Sequence, residues 1–214
     1  MRLRFLVIFC LLAFVATAYP QSKGPIYSIS TGVALPSQPK ILNDSWNGGW
    51  HIGGGIGYPI TPWLTIGGAF SYSHLPFDAK AVIARSKLAS YYPWVRVEGN
   101  SATIITGNCR VKINLTAPTR TSWFSPYFFG GMGWYRLTLG EYTVQYKIVS
   151  QRSVRTYRQS AYPNSQIGLE GGAGFEVYLS KHLNGYMEIT YCTSFTDSPI
   201  WAEWIPLRIG LLLH

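Results

Sequence analysis

Between Gln166 and Ser180 the chain reads QIGLEGGAGFEVYLS. Its odd positions are Ile167, Leu169, Gly171, Ala173, Phe175, Val177 and Leu179. Its even positions are Gly168, Glu170, Gly172, Gly174, Glu176, Tyr178 and Ser180. One face is apolar and uncharged; the other is glycine, glutamate and hydroxyl. Successive side chains of a strand point to opposite faces, so strict alternation predicts a strand. Strands of globular proteins run to about five or six residues. This one is more than twice that length, and a tilted strand crosses a bilayer in roughly 9–11 residues.

The two-faced pattern recurs along the chain. It predicts strands over Ile26 to Leu35, Gly49 to Tyr58, Trp63 to His74, Ser101 to Leu115, Pro126 to Leu139, Gly185 to Phe195 and Trp204 to His214. With the stretch above these make eight. Pro36 to Asn47 holds two prolines and Asn-Asp-Ser and reads as a loop. Pro59-Ile60-Thr61-Pro62 is a tight turn, as are Thr116 to Thr121 around Pro118 and Lys181 to Asn184. Leu75 to Gly99 is a long connection that has room for a short helix inside Ala79 to Ser90. Thr196 to Glu203 is a loop.

Long and short connections therefore alternate, as in a transmembrane barrel with short periplasmic turns and longer extracellular loops. A soluble lipocalin-like barrel also alternates. Two features favour the membrane. The polar face carries Arg110, Lys112, Arg136, Glu170, Glu176, Glu188 and Arg208 deep within strands, while the apolar face is almost free of charge. The apolar face also ends in Tyr58, Phe70, Tyr72, Tyr127 and Tyr191, which read as interface girdles. The predicted fold class is all-β, an eight-stranded antiparallel up-and-down transmembrane β-barrel preceded by a cleaved signal peptide.

The leader is Met1 to Ala18. Arg2 and Arg4 precede the apolar run Phe5 to Val15, and Ala16-Thr17-Ala18 is a small-x-small cleavage pattern. It is shorter than the ~20 residues of a helical span. The barrel domain is then 19–214. Formal net charge is +9, and loss of Arg2 and Arg4 leaves +7. An exported basic chain points to phosphate-rich headgroups or acidic glycans rather than nucleic acid. Export permits disulfides, yet Cys109 falls in the lipid-facing set of its strand and Cys192 in the lumen-facing set of a distant one. They are expected to stay free thiols.

The run Pro126 to Tyr135 (PYFFGGMGWY) and the closing strand Ile205 to Leu213 (IPLRIGLLL), on top of the pattern, resemble the OmpA/OmpX-like small outer-membrane β-barrels of Gram-negative bacteria. The resemblance spans essentially the whole mature chain. It implies residence in the outer membrane and says little about activity. Family members often end in an aromatic residue read by the insertion machinery; this chain ends in His214.

An eight-stranded barrel is only wide enough for its side chains to fill it. The inward charges are expected to pair across the lumen and plug it. A non-catalytic structural or surface-binding role is therefore predicted, with a narrow solute channel as the alternative and a lipid A-modifying enzyme as the third. Against the enzyme, Ser73 and His74 are neighbours on a strand and point apart, with Asp78 nearby. His51, His182 and His214 stand alone. Gly53-Gly54-Gly55-Ile56-Gly57 has no helix after it and is no phosphate loop. No cofactor or metal set emerges.

The segment Gly140 to Ser165 is the expected functional surface. Tyr142, Val144, Tyr146 and Ile148 are even, whereas Tyr135 and Leu137 are odd. A one-residue slip flips every side chain, so a bulge or twist is predicted near Gly140. Beyond it a ribbon should rise above the membrane and turn near Ser150 to Ser153. Lys147, Arg152, Arg155 and Arg158, against Glu141 alone, suit outer-membrane lipid and lipopolysaccharide or an acidic surface partner. A monomer is expected.

Overall fold

The structure, a computed structural model, describes residues 24–38, 40–86, 91–92, 94–116, 123–147, 154–195 and 202–214. The leader, Arg152 and the Ser150 to Ser153 turn lie outside these residues, as do most of the Thr116 to Thr121 turn and most of the Thr196 to Glu203 loop. In chain order the elements are β1 (Ile26–Gln38), α1 (Lys40–Ser45), β2 (Gly49–Pro59), β3 (Leu64–Leu75), α2 (Ala79–Ser86), β4 (Val95–Gly99), β5 (Ala102–Asn114), β6 (Phe124–Leu139), β7 (Tyr142–Lys147), β8 (Val154–Gln159), β9 (Tyr162–Ser180), β10 (Leu183–Phe195) and β11 (Ala202–Leu213).

Eight of the strands close a barrel in the order β1-β11-β10-β9-β6-β5-β3-β2, and β4, β7 and β8 form a separate sheet. Each barrel strand pairs antiparallel with its neighbours in the chain, and β1 closes on β11 from Tyr27↔Leu213 to Gln38↔Glu203. Closure removes every edge, which is the condition for strands to cross hydrocarbon. Among the described residues no helix is long and apolar enough to cross a membrane.

The barrel is inside-out relative to a water-soluble protein. Ile29, Val33, Trp50, Ile52, Phe70, Val111, Met132, Trp134, Ile167, Met187, Ile189, Ile209 and Leu211 stand exposed on its outside. Ser30, His51, Ser71, Ser73, Thr106, Asn108, Glu170, Glu176, Glu188, Thr190 and Arg208 are buried within. A continuous apolar belt of that extent is stable only against lipid.

On β6 the faces are reversed from the expectation. Tyr127, Phe129, Tyr135 and Leu137 point inward, and Arg136 points out with Phe128, Met132 and Trp134. Tyr127 is thus no girdle residue and Arg136 no lumen residue. The cause lies on β9, whose inward glycines leave room for the rings. A Cβ on Gly172 would stand 2.7 Å from the Phe129 ring, and one on Gly174 2.7 Å from the Tyr127 ring. Filling bare strand backbone with a cross-strand aromatic outweighs turning those rings to lipid.

Three smaller departures follow the local chemistry. β1 runs on to Gln38 through a register irregularity after Pro36, and α1 occupies part of the expected loop. The short helix in the β3–β5 connection forms as α2, but β4 follows it. The parity switch at Gly140 is present as a break between β6 and β7 rather than a bulge within one strand. There a Cβ would stand 2.1 Å from the Asn100 carbonyl oxygen, so only glycine permits the close approach.

Cys109 faces out and Cys192 is buried in the lumen; both are free, and β6 and β9 separate their strands. Alkylation of the denatured chain without reductant should add two adducts by mass to residues 19–214. A chain that takes up none would carry a bridge and contradict this placement.

Candidate functional site

The lumen holds a charge cluster built by register. Arg110 on β5 pairs with Gly131 on β6, which pairs with Glu170 on β9. Gly131 presents no side chain between them, and a Cβ there would stand 3.1 Å from Glu170 Oε1 and 3.2 Å from Arg110 Cγ. Arg110 therefore reaches across a strand and donates from Nε to Glu170 Oε1 and from Nη2 to Glu170 Oε2 at 3.0 Å. Asn108 Nδ2 donates to the same Oε2 at 2.9 Å. On β10, the strand next to β9, Glu188 sits directly across from Arg208 on β11. It accepts from Arg208 Nη1 at 2.8 Å, from Arg110 Nη1 at 3.3 Å and from the Tyr127 hydroxyl at 3.1 Å. Phe129 lies under the Arg110 guanidinium at 4.7 Å.

Lys112 and Glu176 form a second pair nearer the periplasmic end. They border a cavity of about 90 Å³ with Ser28, Thr65, Tyr127 and Tyr186. With Arg136 outside, the six remaining lumen residues balance three cations against three carboxylates. The structure brings those six together and leaves Arg136 apart.

Above the cluster, His51 is not isolated. The β2–β3 register sets it opposite Ser73, and His51 Nδ1 shares a hydrogen bond of 2.9 Å with Ser73 Oγ. Both side chains are 1% exposed, so this is a sealed polar contact rather than a dyad open to substrate. His74 faces outward and stacks on Trp50. Asp78 caps α2: its Oδ1 accepts from the Ala81 amide at 2.9 Å and its Oδ2 from Asn47 Nδ2 at 2.6 Å. The Ala81 amide, and then Asn47, hold its carboxyl below the usual range. Among the described residues no His, Cys, Asp or Glu cluster could hold a metal.

The extracellular mouth is closed by an apolar cap. Leu42 and Trp46 descend from the β1–β2 connection onto Ala34, Leu75, Ala102, Ile104, Leu137 and Trp204, with Phe77, Leu139 and Tyr142 packed around them. Trp46 meets Phe77 edge-on at 5.9 Å and Tyr142 at 6.3 Å, and its Nε1–H donates to the Asn100 carbonyl at 2.9 Å.

The separate sheet lies beyond the mouth. β7 pairs with β4 from Val95↔Tyr146 to Gly99↔Tyr142, and with β8 from Tyr142↔Gln159 to Lys147↔Val154. Val95, Val97, Tyr142, Val144, Tyr146 and Tyr157 share one face; Arg96, Glu98, Thr143, Gln145, Lys147 and Arg158 share the other. Val154 to Arg158 are all exposed, and β8 has no strand on its far side among the described residues. Arg158 donates from Nε and Nη2 to Glu141 at 2.7 and 3.0 Å. That contact holds the Glu141 carboxyl low, so the pair is intact at neutral pH and loosens only as pH falls through the lowered value. Lys147 and Arg155 are exposed and have no ion pair among the described residues.

A closed barrel with a lipid-compatible exterior, an ion-paired lumen and a folded extracellular appendage defines an integral β-barrel membrane protein. The description "outer membrane protein beta-barrel domain" matches residues 6–204, and the chain belongs to that family. It resides in the outer membrane. No curated protein matches the sequence. Two solved barrels share the fold. A major outer membrane protein from Thermus thermophilus is 12% identical with a TM-score of 0.54, over 89% of this chain and 99% of its own. Neisserial surface protein A is 11% identical with a TM-score of 0.52, over the same shares. Identities this low show the fold alone.

Proposed function

We propose that this barrel is a non-catalytic cell-surface binding protein that engages an anionic partner through the β4-β7-β8 sheet. The observation that carries the reading is the open edge of β8. Among the described residues it offers unpaired backbone groups to a partner strand, and Lys147 and Arg155 beside it have no ion pair. Arg158 contributes less, because Glu141 occupies it. The lumen supports the same reading, since the apolar cap and the ion-paired cluster oppose the narrow channel. Planar-bilayer recordings of the folded barrel should show no unitary steps; reproducible steps would favour the channel.

The test is the double variant Lys147→Ser/Arg155→Ser, assayed for binding to whole cells and to lipopolysaccharide at low and moderate salt. A cation near an anionic surface contributes about 1 kcal/mol at low salt, so the pair should cost roughly 30-fold in affinity. The salt dependence should also flatten. Unchanged binding would remove the docking role of the sheet.

A further inference from the structure

Arg136 is the one charged side chain on the outward face of β6. The outward set of that strand begins Phe124, Pro126, Phe128 and reaches Met132 and Trp134 before Arg136. Phe124 to Trp134 spans roughly 34 Å of strand, or ~26 Å of height at a tilt of about 40°. That matches the ~25 Å apolar band of a membrane barrel. Arg136 lies one side-chain row beyond Trp134, about 7 Å further along the strand toward the extracellular end. It therefore sits where hydrocarbon gives way to headgroups. A cation on the lipid face is costly in the hydrocarbon and nearly free at the interface.

Ile105 on β5 stands directly opposite Arg136 on one side, and hydroxyls stand on the other side and in the row above. Ser165 on β9 is directly opposite, and Thr138 is the next outward residue on β6, itself opposite Thr103 on β5. Among the described residues no carboxylate lies within ion-pair distance of the Arg136 guanidinium, in contrast to Arg110, Arg158 and Arg208. A planar guanidinium matches two phosphate oxygens, and flanking hydroxyls can donate to a third.

We propose that Arg136, with Ser165 and Thr138, docks the phosphate of a phosphorylated glycolipid in the outer leaflet. The contact is sideways, through the wall of the barrel, and is independent of the β4-β7-β8 sheet. The acyl chains of that lipid run down the apolar band beside Trp134 and Ile167. The phosphate specificity comes from the row above.

The test uses the folded full-length barrel in phosphatidylcholine nanodiscs doped with diphosphoryl lipid A or with its dephosphorylated form. Lipid retained on the protein is counted by native mass spectrometry. The wild type should retain diphosphoryl lipid A over phosphatidylcholine, and Arg136→Gln should lower that preference about tenfold. Arg136→Lys should recover part of it. Lys181→Ser, at an exposed cation of the periplasmic β9–β10 turn, should leave it unchanged, which separates this site from a general loss of positive charge. The proposal is overturned if Arg136→Gln retains the wild-type preference, or if Lys181→Ser loses as much. It is also overturned if dephosphorylated lipid A is retained equally well.

Discussion

Glu170→Gln should lower the unfolding free energy of the barrel by about 3–5 kcal/mol in a urea titration in detergent or lipid. Glu170 accepts two donors from Arg110 and one from Asn108, and Arg208 approaches it to 4.0 Å. The substitution keeps the shape and removes the charge. Two guanidiniums would then share Glu188 alone. The energy is dominated by the cation left behind in a water-poor lumen, not by the bond removed. Glu176→Gln is the internal comparison. Among the described residues Glu176 faces Lys112 alone, whereas Glu170 faces both Arg110 and Arg208, so loss of the Glu176 charge leaves one cation unbalanced rather than two and its cost should be smaller. Equal small effects for both would mean that the cluster is hydrated throughout.

The second large effect is expected at the cap. Trp46→Ala should destabilise the protein by about 3–5 kcal/mol, the range for truncating a buried large aromatic. Trp46 is 1% exposed and joins three connections at once. Trp46→Phe keeps most of the packing and loses the donor to Asn100, so it should cost only ~1 kcal/mol from that bond, plus some packing. If alanine costs no more than phenylalanine, the cap is a loose cover and not a core. Bilayer recordings add a second readout. Trp46→Ala should stay silent, because the charge cluster lies beneath the cap.

The strands were legible because one rule, alternation, dominates a barrel wall. It placed Cys109 outside, Cys192 inside and six of the lumen charges inside. It failed on β6, where both faces are aromatic or small and the single charge at Arg136 decided the reading. The complementary signal was present in the even glycines of β9, which require inward rings from a neighbour. His51 and Ser73 were separable by sequence distance yet joined by register. Counting outward from the Pro59 to Pro62 turn brings them opposite each other. β4 was harder. It is five residues of mixed polarity whose partner, β7, lies about fifty residues away, so no local pattern specifies it. Trp46 carried no periodic signal, because its role depends on a lid assembled from several loops.

That lid has a consequence for how the exposed part of the chain can change. Leu42 and Trp46, Phe77, and Tyr142 come from the connections after β1, β3 and β6, and they converge on one apolar cluster. These loops are consequently not independent appendages. A substitution at 42, 46, 77 or 142 alters a shared volume and calls for compensation in a loop far away in sequence. Positions on the opposite side of the sheet, such as Arg96, Gln145 and Lys147, carry no such constraint. Across related chains, variation under selection at the cell surface should accumulate on that outward side, while the converging positions change only in concert.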